Sequence, residues 1–451
     1  MTPQLRRGAD TPAPPVRLLH LGLGNFFRAH QAWYTAHAAD AAGWGIAAFS
    51  GSSRRLADAL TEQGGLYTLV VRAADGDHTE VIGNLVEAHP GDDHEALLRC
   101  WRLPDLAVVT LTVTEKGYCR DSGGRLDLAN PDVRDDIAAL RRDSAAPVRT
   151  APARLLAGLL ARAEAGLPGV TVLSCDNLPD NGVVAGLMVQ ELAGEVDPQL
   201  TALVRRTAFA TSMVDRITPA TTDDDLASVA ATTGVRDLAP VVTEPFSEWV
   251  ISGDFPAGRP DWESAGARLV ESVEPFERRK LWLLNGAHSL LAYAGLLKGH
   301  QLVSEAVADP ELVEAMTRWW DEAAQHLELP DVEIAHYRTS LQTRFANPRI
   351  RHLLSQIAAD GSDKLPVRVL PTLRAERAAG RSGEGAARVV AAWLRYLRSD
   401  PPSLADSRRD AALAASTGPL DEAAASTLRL LDAELASDPE LVALVARLAA
   451  D

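Results

Sequence analysis

The chain has 451 residues, more than the ~250–300 at which one hydrophobic core usually stops growing, so two domains are expected. Sixty-one acidic against forty-five basic residues leave a formal net charge of −16, which repels phosphate backbones and anionic lipid. The expected partner is therefore a small molecule, with no nucleic acid and no membrane. Cys100, Cys119 and Cys175 are too few and scattered for a disulfide framework or a cysteine-rich zinc site, and no run of about 20 apolar residues occurs. The N-terminal MTPQLRRGADTPAPPVR has two arginines but no apolar stretch behind them, so a soluble, cytoplasmic monomer or small homo-oligomer is expected.

In chain order, the apolar run Val16–Leu21 ends in Gly22-Leu23-Gly24 and leads into a helix predicted from Phe26 to Ala42: strand, glycine turn, helix. Further strands are predicted at Gly45–Phe49, Tyr67–Arg72, Leu106–Val113, Val170–Ser174 and Ala208–Val214, with helices between several of them, as in a parallel α/β sheet. Tyr67–Arg72 and Thr79–Leu85, joined through Ala73–Asp77, read as a hairpin inserted into that pattern. From about Pro275 the pattern becomes amphipathic helices, including Leu312–Gln325, Arg351–Ala359 and Arg388–Leu397; Gly380–Gly385 and Ser399–Pro419 read as loops. The domain boundary is placed near Gly266–Pro275, giving domains of residues 1–270 and 271–451.

Gly22 and Gly24 stand where a dinucleotide fingerprint requires glycine, between strand and helix, although Phe27 occupies the third glycine position. Backbone amides next to Gly24 and Asn25 can cradle a pyrophosphate, with Arg28 adding charge; the alternative is a plain tight turn. No acid follows the second strand. Instead SGSSRR offers Ser50, Ser52 and Ser53 to a ribose hydroxyl or 2′-phosphate, and Arg54 or Arg55 to the phosphate; a solvated polar turn is the other reading. Thr114, Glu115 and Lys116, Asp176 and Asn177, and Asp215 and Arg216 fall at the ends of predicted strands, where open α/β sheets bind ligands. Asp215 and Arg216 can equally form an ion pair, and Asn177-Leu178-Pro179 a turn.

The segment Glu277–Gly295, ERRKLWLLNGAHSLLAYAG, carries Lys280, Asn285 and His288 on an otherwise apolar helix. At about 100° per residue they fall at about 0°, 140° and 80°, within one face. An ammonium, an amide and an imidazole in such surroundings are costly unless they meet each other or a ligand. Desolvation lowers a lysine's proton affinity, which makes Lys280 a candidate general base. The bland alternative is that Lys280 snorkels to water, Asn285 caps a turn and His288 is a satisfied core histidine. The eleven histidines show no HExxH or paired-cysteine spacing, so no metal is expected.

The motifs GLGNFFRAH, TVTEKGY, SCDNLPDNG, MVDRITP, EPFSEWV, AGRPDWE, KLWLLNGAHS, RFANPRIRH and DGSDKLP follow one another as in the mannitol dehydrogenase family, which the chain resembles over roughly residues 16–400. The resemblance implies an α/β protein: a Rossmann-type N-terminal dinucleotide domain followed by a mostly α-helical, substrate-binding and catalytic C-terminal domain. It implies metal-free hydride transfer between NAD or NADP and a secondary alcohol of a sugar alcohol or aldonate. Lys280 matches the family's general base, Asn285 and His288 the groups holding the reacting oxygen, Asn177 an asparagine between nicotinamide and substrate, Asp215 a substrate-side acid, and Glu115 an acid near the lysine. Cofactor contacts are thus expected at Gly22, Gly24, Asn25, Phe26, Arg28, Ser53, Arg54, Thr114, Glu115 and Asn177. Substrate contacts are expected at Asn177, Asp215, Lys280, Asn285, His288, Gln356 and Lys364.

Two departures qualify the match. Many members carry an aspartate where this chain has Ser53 before Arg54, which leaves both NAD and NADP open. Mannitol 2-dehydrogenases tend to have arginine where Gln356 stands, and RHLLSQIAADGSDKLP is similar to fructuronate reductases, whereas GVRDLAPVVTEPF reads nearer the mannitol type. The expected activity is interconversion of a polyol and a ketose of the mannitol/fructose kind, with a hexuronate-reducing enzyme acting on fructuronate, or a catalytically silent nicotinamide- or sugar-binding protein, as alternatives.

Overall fold

Val16–Leu21 (β1) is flanked by Gly45–Phe49 (β2) and, after Tyr67–Ala73 (β3), Gly76–Ile82 (β4) and Leu85–His89 (β5), by Val108–Leu111 (β6). The computed structural model describes residues 2–51, 53–399, 401 and 404–450. Thr171–Ser174 (β7), Ala208–Asp215 (β8), Val241–Thr243 (β9), Glu248–Ser252 (β10) and Arg268–Leu269 (β11) complete the strands. Eight of them form one sheet in the order β11-β10-β8-β7-β6-β1-β2-β5, parallel from β5 to β8, with β10 antiparallel to β8. Alternation sends Leu19, Leu21, Phe49, Val109 and Val172 to one face and Leu18, Ile46, Ala48, Val108 and Leu173 to the other, and each face packs into its own apolar cluster. These strands therefore read as continuous apolar runs.

Two local expectations are corrected. The helix predicted over Phe26–Ala42 is broken into Asn25–Ala29 and Gln31–His37, with His30 at φ −123°, ψ −86° between them. His30 stacks on Phe26 at 5.0 Å and meets the edge of Trp249 at 5.5 Å, so packing sets the break. The hairpin is tighter than predicted, β4 beginning at Gly76 rather than Thr79, and Leu85 opens β5 of the large sheet. It is not inserted in that sheet: β3 also pairs with β9, making a separate three-stranded sheet.

The chain folds as two compact units, Met1–Glu274 and Pro275–Asp451. The second is helical, and its longest elements include Ala287–Leu297, Pro310–Ala324, Asp331–Phe345, Glu384–Arg398 and Pro439–Ala450. Leu283, Leu291, Tyr293, Trp319, Trp320 and Trp393 lie fully buried in its core. The helix predicted over Arg351–Ala359 shrinks to Leu354–Ile357, and the predicted loop Ser399–Pro419 contains the helix Arg409–Ala415. Among the described residues no helix is long and apolar enough to cross a membrane.

Candidate functional site

At the C-terminal end of β1, Gly22 adopts φ +113°, and a Cβ there would lie 2.0 Å from the Thr112 carbonyl oxygen. The turn is tied to β2 by Gly22 and Leu23, whose amides donate to the Phe49 carbonyl at 3.0 and 2.8 Å. Gly24 differs: its backbone is extended, and a Cβ would meet only the Gly22 oxygen, at 3.6 Å. Packing within the protein demands glycine at 22 but not at 24, so the bare main chain at Gly24 is room for a ligand to approach. Phe27, standing in place of a third glycine, points inward and stacks on His20 at 3.6 Å. Burial drives the His20 imidazole down to about 3, so it is neutral between Thr110 and Thr112.

Arg28, expected near a pyrophosphate, is held by the protein itself. Arg28 is 1% exposed, and its guanidinium donates to the carbonyls of Gly24 and Ala239 and to Asn25 Oδ1. Asn25 is committed likewise, its amide donating to the Pro219 carbonyl at 3.3 Å. Both brace the turn from behind, and Phe26 lies half-buried on His30. Ser50 is also structural: buried, it accepts the Gly91 amide at 3.2 Å. Ser52 lies outside the described residues. Ser53 and Arg54 are exposed, but an acid does stand there: Asp92, from the loop after β5, comes within 3.6 Å of Arg54.

Farther along the sheet edge, Thr114 holds the left-handed value φ 65°. Asp176 imposes it, accepting the amides of Val113 and Thr114 at 3.2 and 2.7 Å and the Tyr118 hydroxyl at 2.7 Å. Burial raises the Asp176 carboxyl, while these hydrogen bonds oppose the rise. Asp176 thus sets the edge, and Thr114, Glu115 and Asn177 are exposed upon it. Asp215 is buried at the end of β8. Arg216 spends its guanidinium on the Ala29 and Glu244 carbonyls and lies over the Trp33 ring at 4.8 Å.

Sequence reasoning passed over Arg154, although a lone arginine in the apolar run APARLLAGLL was a signal. It is 7% exposed with its carbon 5.6 Å from the Phe49 ring centre, and its Nε and Nη2 are buried without a hydrogen-bond partner, as is His94 Nδ1. Burial lowers the Arg154 guanidinium to about 10. The two unsatisfied Arg154 donors, beside Phe49 whose carbonyl holds the glycine turn, suit an acceptor-rich ligand such as a dinucleotide. Among the described residues one group of possible metal ligands, Glu87, His89 and Cys100, lies beside Phe49 through His89, but Arg99 donates to Glu87 at 2.7 Å and burial pushes the Cys100 thiol up to about 12.

In the helical unit, Lys280–Gly286 is a π-helical turn between two α-helical segments, Glu274–Arg279 and Ala287–Leu297. Its wider i→i+5 repeat brings Lys280 and Asn285 much closer to one line than the 140° apart expected of an α-helix. Lys280 and Asn285 are half-buried; His288 is buried, with Phe345 at 4.7 Å and His352 edge-on at 4.8 Å. Arg368, not anticipated, reaches the Asn285 carbonyl at 3.5 Å and the Ser289 hydroxyl at 3.3 Å. Gln356 is exposed on the short Leu354–Ile357 helix, and Lys364 Nζ donates to the Ile357 carbonyl at 3.4 Å, which brings the two predicted specificity residues to neighbouring backbone.

Residues 16–264 match the mannitol dehydrogenase Rossmann domain and residues 272–446 the mannitol dehydrogenase C-terminal domain. D-mannonate oxidoreductase of Escherichia coli K12 is 42% identical over 87% of this chain and 82% of that protein. Mannitol 2-dehydrogenase of Cereibacter sphaeroides is 37% identical over the same shares. Among solved structures, Pseudomonas fluorescens mannitol 2-dehydrogenase in ternary complex with NAD and D-mannitol superposes with TM-score 0.81 at 33% identity, covering 99% of this chain and 93% of the other. D-sorbitol dehydrogenase in substrate-free form superposes with TM-score 0.88 at 30% identity, covering 99% and 95%. With both of its domains matched in order, the chain belongs to the mannitol dehydrogenase family.

Proposed function

We propose that this chain is a metal-independent, NAD(P)-dependent oxidoreductase that interconverts a secondary alcohol of a sugar alcohol or aldonate with the corresponding ketone. The reading rests on one observation above the others: Lys280 and Asn285 aligned on a π turn, with His288 in the next turn. Mannitol 2-dehydrogenase and D-mannonate oxidoreductase relatives agree with it. The nicotinamide, when bound, accepts the hydride. The residues of this chain do the rest: neutral Lys280 takes the hydroxyl proton, and Asn285 and His288 donate to the oxygen as negative charge develops on it. Gly24 leaves the pyrophosphate a bare backbone, and Thr114, Glu115 and Asn177 present polar groups at the sheet edge. Three free thiols fit a reducing, cytoplasmic setting.

Two observations favour an aldonate over a neutral polyol as the substrate: D-mannonate oxidoreductase is the more similar of the two relatives above, and Lys364 brings a cation close to Gln356. Oxidation of mannitol, arabinitol and mannonate, and reduction of fructose and fructuronate, followed by nicotinamide absorbance with each cofactor, decides between them. Lys280→Met should lower turnover by roughly 10²–10⁴-fold, the share of general base catalysis, with cofactor binding near normal. A variant that kept its turnover would remove Lys280 from the chemistry.

A further inference from the structure

A π turn is rare in a helix, and this one is held from outside. Trp319 and Trp320, consecutive residues of the Pro310–Ala324 helix, point their indoles at the turn. Trp319 Nε1 donates to the Trp282 carbonyl at 3.0 Å, and Trp320 Nε1 donates to the Leu283 carbonyl at 2.8 Å. Both tryptophans are 0% exposed. An indole N–H is a donor only, and one left buried without its acceptor is destabilising. Gly286 closes the arrangement: a Cβ there would lie 2.6 Å from Trp319 Cζ2, so this glycine admits the ring. On the other side the Ser289 hydroxyl and Arg368 reach the Asn285 carbonyl at 3.1 and 3.5 Å. Three carbonyls of one turn are thus each met by side-chain donors.

From this geometry we infer that Trp319 and Trp320 are positioning residues, whose paired N–H donors fix the widened turn and thereby the alignment of Lys280 with Asn285. The inference rests on the proposed roles of those two residues. A return of 280–286 to α-helical winding leaves Asn285 about 140° around the axis from Lys280. It also carries the Trp282 and Leu283 carbonyls away from indoles that the core holds in place. The tryptophans touch neither substrate nor cofactor in this role; they act through the register of the helix.

The test replaces Trp320, and separately Trp319, by β-(3-benzothienyl)alanine, which keeps the bicyclic ring and removes only the N–H, alongside Trp320→Phe. Alcohol oxidation by the intact enzyme is followed across pH. The expected result is a fall in kcat of at least about tenfold and a shift of the rising, acid-side limb of kcat/KM by at least about half a pH unit, with NADH affinity within about twofold of wild type. Unchanged kcat, or a lower kcat with an unmoved limb, overturns the inference, because loss of packing alone does not move the proton affinity of the base. Lys280→Met run in parallel separates the two readings. If it retains turnover, the assignment of the base fails; if it is inactive while the benzothienyl variants behave as wild type, only the positioning role fails.

Discussion

Gly22 and Gly24 look alike in the sequence and do different things. Gly22 sits at a positive φ with a carbonyl oxygen where its side chain would be, so Gly22→Ala should cost roughly 2–4 kcal/mol of stability, read as a lowered denaturation midpoint. Gly24 has space. Gly24→Ala should leave the midpoint unchanged and weaken NADH binding at least about tenfold in a fluorescence titration, because the added methyl meets the ligand rather than the protein. A stable Gly22→Ala enzyme, or a Gly24→Ala enzyme with wild-type affinity, would reverse these assignments. Arg54 raises a second question at this scale. Its sequence context, without an acid, argued for a 2′-phosphate, but Asp92 stands 3.6 Å away, and both side chains are well exposed. Asp92→Asn should therefore raise the affinity for NADPH relative to NADH by several-fold, and Arg54→Ala should lower it, in parallel titrations.

Among elements, the short helix Leu354–Ile357 and the Gly361–Arg368 helix carry Gln356, Lys364 and Arg368. Gln356→Arg adds a charge beside Lys364 and should change the ratio of kcat/KM among polyol and hexuronate substrates by at least about tenfold, about 1.4 kcal/mol, with cofactor affinity untouched. A ratio that did not move would mean that Gln356 does not face the substrate. What the sequence made legible at this scale was whatever is periodic and local: the ends of β2, the apolar runs of the parallel strands, and the long helices of the second unit. The π turn was not legible, because its cause lies in Trp319 and Trp320, 37 residues downstream of the carbonyls they hold. The same holds for Arg54, read from SGSSRR alone while its acid came from another loop, and for Arg28, whose charge was visible but whose burial was not. Lys280, Asn285 and His288 stood out because polar groups are conspicuous in an apolar helix.

For the molecule as a whole, ligand linkage offers a direct measurement. NADH at a hundred times its Kd should stabilise the native protein by about 2.7 kcal/mol and raise its thermal midpoint accordingly, whereas a chelator should leave both midpoint and turnover unchanged. Loss of activity with the chelator, restored by a divalent ion, would overturn the metal-free reading and direct attention to Glu87, His89 and Cys100.

The pairing of β3 with β9 carries a consequence in time. Leu69 finds its partner in Val241, so the central strand of the small sheet has only its hairpin neighbour until about 170 more residues have been made. A ribosome adding about 5–20 residues per second leaves that edge open for roughly 10 to 30 seconds. During that interval Leu69, Val70 and Val71 present the kind of unpaired apolar strand that joins other chains. Yield of this protein in a cell should therefore depend on how fast it is synthesised and on what shields a nascent strand, more than on the stability of the finished fold.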